Sequence, residues 1–173
     1  MKDRFEQFTD ELTGVLKTRG VAGLDEIAEK LRPLLLDGDF AARAFPDELM
    51  HKRVLFHDPS TDVYVLAHVH GAKQSGRPHS HGESWAIYGN VRGATDMTEW
   101  RRDAEGEGHA VLVPISRYRL NAGDARAYPP HTIHSTAHPG DAWVIRVTGT
   151  DLDKIPRYRF DSAKERIAEA PGP

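Results

Sequence analysis

Residues 77–93 read RPHSHGESWAIYGNVRG, with two histidines ahead of an apolar, aromatic run that ends in glycine. His79 and His81 are two positions apart, and residues at this spacing point to the same face of an extended backbone. Both imidazoles could therefore reach one metal ion at about 2.1 Å. Histidine is also common at turns and on half-exposed strands, so such a pair on its own is more often incidental than a metal site.

The run after this pair is one of several short apolar runs between residues 50 and 150. Turn-forming clusters such as DPSTD, KQSGRP and NAGD separate the runs. Several short strands at this spacing predict a closed or sandwiched antiparallel sheet. The predicted strands are RVLFHD (53–58), DVYVLAHVHG (62–71), SWAIYGNVRG (84–93), HAVLVPISRYRL (109–120) and DAWVIRVTG (141–149).

The N-terminal segment has a helical pattern instead. Apolar residues recur every three or four positions over residues 3–18, and Asp25 can cap a second helix through about Leu36. The Asp-Gly-Asp stretch at 37–39 is expected to end that helix. We therefore predict a single domain, with a helical layer over residues 1–45, a barrel over residues 50–150 and an external tail over residues 153–173.

Composition narrows the classes of function. The 173 residues include ten histidines and no cysteine, so any metal must be held by His, Asp or Glu side chains. A net charge of −3 and the lack of a long apolar run do not indicate a nucleic-acid or membrane partner. The first residues carry charges where a signal peptide needs an apolar core, so we expect a cytoplasmic protein.

A third histidine is expected near the first two. The segment NAGDARAYPPHTIHSTAHPGD, residues 121–141, has a glycine turn and two stiffening prolines before His134. His134 begins a further strand, which a barrel can bring beside His79 and His81. These three histidines are the candidate metal ligands.

The two histidine segments resemble the two sequence motifs of the cupin superfamily. The His-x-His pair and the glycines after it fit the first motif, and residues 123–134 fit the second. The glutamate of the first motif is absent, because its position falls on Trp85 or Ala86. The resemblance covers residues 50–150 and implies a jelly-roll antiparallel barrel. With the N-terminal α-helices predicted from periodicity, the expected fold is mostly β. His131 stands at the motif's glycine and His138 at its asparagine, so neither is expected to be a ligand.

Within that superfamily, the chain resembles the thiol dioxygenases of the cysteine dioxygenase type, which also use three histidines without the glutamate. Arg53 lies at a fitting separation before the His-x-His pair. The Ser-x-His-x-Tyr set of those enzymes is missing, since residues 144–148 read VIRVT with Arg146 at the histidine position. The resemblance implies a mononuclear non-haem Fe(II) dioxygenase acting on a small thiol carboxylic acid, and the missing set argues against the thiol.

A second resemblance indicates another reaction. The segment HGESWAIYGNVRGATDMTEWRR, residues 81–102, looks like small cupins linked to 4-hydroxylaminobenzoate lyase. That resemblance implies a lyase that converts an aryl hydroxylamine acid to a catechol acid and releases ammonia. The remaining alternative is a non-enzymatic cupin that binds a small ligand.

Three further side chains are candidate catalytic residues. Arg53 and Arg146 could each hold a substrate carboxylate through the guanidinium fork, or could extend to solvent as strand arginines usually do. Glu83 could act as a base or support a metal ligand. Gly82 favours a turn that would leave Glu83 as a solvated loop carboxylate.

Three neutral imidazoles leave coordination positions open, which is typical of catalytic rather than structural metal sites. Imidazole ligands suit several metals; Fe(II) is the expected one, with Zn, Ni or Mn as alternatives. A second His-x-His pair, His68 and His70, has no implied third partner and is not assigned. The expected partners are a small-molecule carboxylate and, at most, a second copy of the chain in a homodimer.

Overall fold

The structure, a computed structural model, describes residues 2–47, 49, 51–106, 109–160 and 167–170. Its N-terminal layer contains three helices, α1 (Arg4–Arg19), α2 (Leu24–Leu35) and α3 (Gly38–Ala44), with a 3₁₀ turn at Gly20–Gly23 between the first two. None of the described helices is both long and apolar enough to cross a membrane.

Eleven described strands form two antiparallel sheets. The first sheet has the order β1-β2-β9-β4-β7 and the second has the order β11-β10-β3-β8-β5-β6. Every pairing between these strands is antiparallel, as in a jelly-roll barrel. The strands are β1 (Lys52–Asp58), β2 (Val63–His70), β3 (His79–Ser80), β4 (Ala86–Arg92), β5 (Thr95–Gly106), β6 (His109–Leu120), β7 (Ala125–Tyr128), β8 (Ile133–Ala137), β9 (Ala142–Thr148), β10 (Arg157–Phe160) and β11 (Ile167–Ala170).

The larger apolar core lies outside the barrel, between the helices and the first sheet. Val65, Ile87 and Ile145 belong to this core together with the leucines of α2. Gly89 allows the helix to approach closely, because a Cβ there would lie 2.8 Å from a methyl carbon of Leu35. The helical layer therefore covers one face of the first sheet and leaves the opposite face to line the barrel.

The barrel interior is smaller and more polar. Alternate residues of the first sheet face it, among them Tyr88, Tyr128 and Val144, which form a second buried cluster with Met97 of the second sheet. Fully or nearly buried histidines share this interior. Buried polar groups cost free energy unless they are paired with a protein group, a metal or a ligand. The histidines therefore mark this interior as the candidate functional site.

The five predicted strands are present as β1, β2, β4, β6 and β9, and both predicted helices are present as α1 and α2. Three features differ. The second helix begins at Leu24 with Gly23 as its N-cap, so Asp25 lies in the first turn and does not cap the helix as predicted. The Asp-Gly-Asp stretch follows the end of α2, as predicted, and also begins α3. The Asp37 side chain caps α3 by accepting a hydrogen bond from Phe40 N at 2.8 Å.

The C-terminal segment differs from the expected external tail. Its residues 157–160 form β10, which pairs with β3 at Tyr158 and Arg159. The Phe160 side chain is buried against Ile133. This part of the segment is thus a strand of the second sheet, while residues 161–166 and 171–173 lie outside the described residues.

Candidate metal centre

The three candidate histidines converge inside the barrel. His79 on β3 is the direct cross-strand partner of His134 on β8, and His81 follows β3 by one residue. One ring nitrogen from each lies within 4.8 Å of the other two. Among the described residues, these three histidines form the one group of His, Asp or Glu side chains close enough together to hold a metal ion.

Backbone carbonyls orient two of these rings. His79 Nδ1 lies 2.9 Å from the Arg77 carbonyl oxygen, and His134 Nδ1 lies 3.2 Å from the Thr132 carbonyl oxygen. A carbonyl only accepts, so each Nδ1 carries the proton and donates it. Each Nε2 then has its lone pair available for a metal, the arrangement that commonly sets the tautomer of ligating histidines.

Burial keeps His134 neutral. It lowers the pKa of His134 to about 3, with the nearby His79 and Arg146 acting in the same direction. His134 and His81 are 0% and 3% exposed, so water does not compete for their nitrogens. Neutral imidazoles are the form that binds a metal, and three of them fit a divalent ion with open coordination positions.

Tyr88 of β4 is a functional candidate that the sequence motifs did not single out. Its hydroxyl oxygen lies 3.4 Å from His81 Nε2 and 3.3 Å from His134 Nε2. The signal was present in the alternation of SWAIYGNVRG, which puts Ala86 and Tyr88 on one face of the strand. The pairing of β4 with β9 makes that face the inner one.

Arg146 also faces the interior. It pairs with Leu66 and Tyr88 across the first sheet, and its guanidinium carbon lies 5.3 Å from the centre of the Tyr88 ring. Its buried Nε has no hydrogen-bond partner among the residues described. The side chain lines a cavity of about 460 Å³ together with Tyr64, Leu66, His68 and Thr148.

The structure corrects the expectation that Arg53 reaches this site. Arg53 pairs with Ala67, and Ala67 belongs to the core under the helices. Paired residues share a sheet face, so Arg53 is on the helical side rather than the barrel side. It is exposed, and its Nη1 donates a hydrogen bond to the Arg43 carbonyl oxygen at 3.1 Å.

Glu83 is likewise not brought to the three histidines. Its side chain is 93% exposed, and its Oε1 lies 3.2 Å from His131 Nε2 in a solvated pair. Gly82 has φ +57°, in agreement with the turn expected there. His131 occupies the motif's glycine position and adopts φ +65°, a backbone conformation that favours glycine.

His138 belongs to a second histidine cluster in the same interior. Its ring stacks on His70 at 4.1 Å between centroids, and His70 stacks on His68 at 5.9 Å. The hydroxyl oxygen of Thr95 lies 3.3 Å from His138 Nδ1. Burial lowers the pKa of both His70, to about 4, and His138.

An apolar opening adjoins the candidate metal centre. A cavity of about 510 Å³ is lined by His81, Trp85, Gly149 and Ile155, among others. Gly149 leaves room for the indole, since a Cβ there would lie 2.5 Å from Trp85 Nε1. A small molecule with an apolar part could therefore reach the edge of the centre from this side.

The fold has two antiparallel sheets around a histidine-lined interior, the architecture of a jelly-roll barrel. Solved cupin structures are among those similar to this chain, at low identity. They include KdgF from Halomonas sp., with 26% identity, a TM-score of 0.43 and coverage of 56% of this chain and 74% of that one. A cupin superfamily protein from Desulfitobacterium hafniense has 15% identity, a TM-score of 0.43 and coverage of 62% and 83%.

An RmlC-like cupin from Shewanella frigidimarina has 16% identity, a TM-score of 0.44 and coverage of 60% and 79%. No protein-family model and no curated protein matches the chain.

Proposed function

We propose that this chain is a metal-dependent enzyme acting on a small carboxylic acid, with the metal held by His79, His81 and His134. The observation that carries this proposal is the convergence of three ring nitrogens inside the barrel, from the buried His81 and His134 and the half-buried His79. Fe(II) is the first choice of metal, with Zn, Ni or Mn as alternatives that the same ligands accommodate.

A divalent ion in this position supplies Lewis acidity, and iron adds redox chemistry. The protein holds His134 neutral by burial and orients His79 and His134 through the carbonyl oxygens of Arg77 and Thr132. Side chains oriented in this way would hold an ion between the three rings.

Arg146 is the proposed binding group for the substrate carboxylate. Arg146 is half-buried, and its buried, unpaired Nε is costly unless an anion compensates it. The planar fork of arginine matches the two oxygens of a carboxylate. A substrate held there would lie in the cavity shared by Tyr64, Leu66 and Thr148.

Oxygenation of a small thiol acid is the first candidate reaction. This candidate is supported by the ligand set, because the thiol dioxygenases also use three histidines and lack the glutamate. The absence of the Ser-x-His-x-Tyr set from β9 weighs against the thiol, because Val144, Arg146 and Thr148 occupy that face instead.

A lyase acting on an aryl hydroxylamine acid is the second candidate. The Tyr88 side chain adjoins both groups, since the Arg146 guanidinium carbon is 5.3 Å from the ring centre and the hydroxyl is 3.4 Å from His81 Nε2. A substrate that bridges the guanidinium and the metal would lie along this ring, a position that suits an aromatic acid.

Metal analysis of protein purified without a histidine tag, followed by an activity screen, tests the proposal. Oxygen uptake with small thiol acids supports the dioxygenase. Anaerobic ammonia release from an aryl hydroxylamine acid supports the lyase. Ligand binding without turnover by either assay would instead indicate a binding protein, and a protein that takes up none of the four metals would contradict the proposal.

A further inference from the structure

We propose that Tyr88 supplies a fourth, oxygen ligand to the ion, which makes the centre a three-histidine, one-tyrosine site. This inference rests on the proposed metal centre and adds a ligand that neither motif of the sequence predicts. It also assigns a role to a hydroxyl that lies within 3.4 Å of two of the histidine nitrogens.

The position of the hydroxyl is the first argument. Zinc-type ligands at about 2.0–2.1 Å in a tetrahedron are separated from each other by about 3.3–3.4 Å. The Tyr88 oxygen lies 3.4 Å from His81 Nε2 and 3.3 Å from His134 Nε2. Hydrogen bonds from a hydroxyl are usually shorter, at about 2.5–3.0 Å. Both distances therefore suit a neighbouring ligand vertex better than a strong hydrogen bond.

Charge is the second argument. Three neutral imidazoles would leave a divalent ion with its full charge in a site that is largely shielded from solvent. The motif's anionic ligand is missing, because Trp85 and Ala86 occupy its position. A phenolate from Tyr88, a few residues further along the same segment, restores one negative charge. The positive charge of Arg146, which lies over the Tyr88 ring, would help to compensate the negative charge of the phenolate.

Coordination involves no redox step. The phenol oxygen forms a bond to the ion, and its O–H bond breaks, releasing one proton to solvent. Metal binding that displaces protons from its ligands is normal for protein sites.

Tyr128 provides a matched control. It is as deeply buried as Tyr88, and its ring lies 4.8 Å from the His134 ring. Its hydroxyl is directed elsewhere, with the Tyr118 hydroxyl oxygen at 2.8 Å, and Tyr118 donates to Glu99 Oε1 at 2.6 Å. Tyr128→Phe should therefore remove a buried phenol without removing a ligand.

Copper titration of the metal-free protein tests the assignment. Cu(II) binds imidazole sites tightly, and phenolate bound to Cu(II) gives an intense visible charge-transfer band that imidazole alone does not give. We expect the band in the wild-type protein and in Tyr128→Phe. Tyr88→Phe should retain copper on the three histidines but lose the band. Its affinity should fall by at least about tenfold, the smallest effect typical of losing a group that supports a metal.

Three results would overturn the assignment: no band in the wild-type protein, a band that persists in Tyr88→Phe, or a band that Tyr128→Phe also abolishes. If Tyr88→Phe does not fold, the wild-type protein still decides the question. Zn(II) should then produce the near-ultraviolet difference spectrum of one tyrosinate per ion, and its absence overturns the assignment. Failure of the metal centre itself is distinguishable, because the protein would then bind no copper or zinc at all.

Discussion

Two clusters of three histidines occupy the same barrel, and only one has the geometry of a metal site. In the first, the rings of His79, His81 and His134 are tilted by 57° to 69° to one another. In the second, His68 and His70 are within 6° of parallel, and His70 and His138 within 13°. An imidazole lone pair lies in the ring plane. Tilted rings can therefore direct their lone pairs to one point, whereas stacked parallel rings cannot.

The difference comes from the partners of each ring rather than from spacing. Both clusters contain a His-x-His pair, so the pattern alone does not distinguish them. Carbonyl oxygens two residues earlier hold His79 and His134, while the Thr95 hydroxyl is the neighbour of His138 Nδ1. A histidine pair therefore indicates a metal site only when its surroundings orient the rings.

Removing one histidine from each cluster should give the largest difference. His134→Ala should weaken metal binding by more than about a hundredfold, beyond what loss of a supporting hydrogen bond costs. His138→Ala is the matched control, since the two side chains are 0% and 4% exposed. It should keep its metal. Metal content after gel filtration measures both, and equal retention in the two variants would contradict the assignment.

Burial lowers the pKa of His134 and of His70, and the charge of Arg146 acts in the same direction on both. Arg146→Ala should raise the KM for small acids by about tenfold to a hundredfold, as loss of a charge-assisted hydrogen bond of about 1.5–3 kcal/mol implies. Arg53→Lys, on the other face of the sheet, should leave the KM unchanged. Metal content should not change in either variant. If the KM rose only in Arg53→Lys, the pairing of Arg53 with Ala67, which puts Arg53 on the helical face of the sheet, would be contradicted.

The second cluster should make stability depend on pH. Burial lowers the pKa of His70 from 6.5 to about 4, so the unfolded chain takes up a proton before the folded one does. Stability is therefore highest above pH 6.5 and falls as the pH drops towards 4, by up to about 2 kcal/mol from this residue between pH 7 and pH 5.

Urea unfolding of the metal-free protein at pH 7 and pH 5 measures this effect. His70→Gln should lose less stability than the wild-type protein over that interval. An equal loss in both proteins would show that His70 does not contribute.

The smallest effect is expected at the rim of the first cluster. Glu83→Gln removes the charge from an exposed pair with His131, and such pairs contribute about 0–1 kcal/mol. Thermal unfolding and metal affinity should both remain close to those of the wild-type protein. A loss of metal affinity of tenfold or more would instead place Glu83 within the centre.

Much of the site was predictable because it depends on local pattern. His79 and His81 share a face through the two-residue period of a strand, and the turn before His134 marks the start of another strand. The helices followed from three- and four-residue periodicity, which α1 and α2 preserve. These features require no knowledge of distant neighbours.

The two arginines show what the local sequence pattern could not predict, namely which face of the sheet each side chain occupies. Both Arg53 and Arg146 are on strands with apolar neighbours, and both were candidates for the same role. Their faces are set by pairing with Ala67 and Leu66, and β1 carries an irregularity between Val54 and Phe56. A shift of register by one residue exchanges the two faces of a strand, so the sequence alone could not decide between them.

The sequence by itself determined the barrel, its helical layer and three histidines able to meet, because each follows from periodicity or turn chemistry within a short segment. Only the tertiary structure decided which histidines converge, that Arg146 rather than Arg53 faces them, and that the Tyr88 hydroxyl lies beside their nitrogens. Those outcomes depend on strand register and on the packing of two sheets against each other. Both are set by contacts between residues far apart in the chain, which no local pattern encodes.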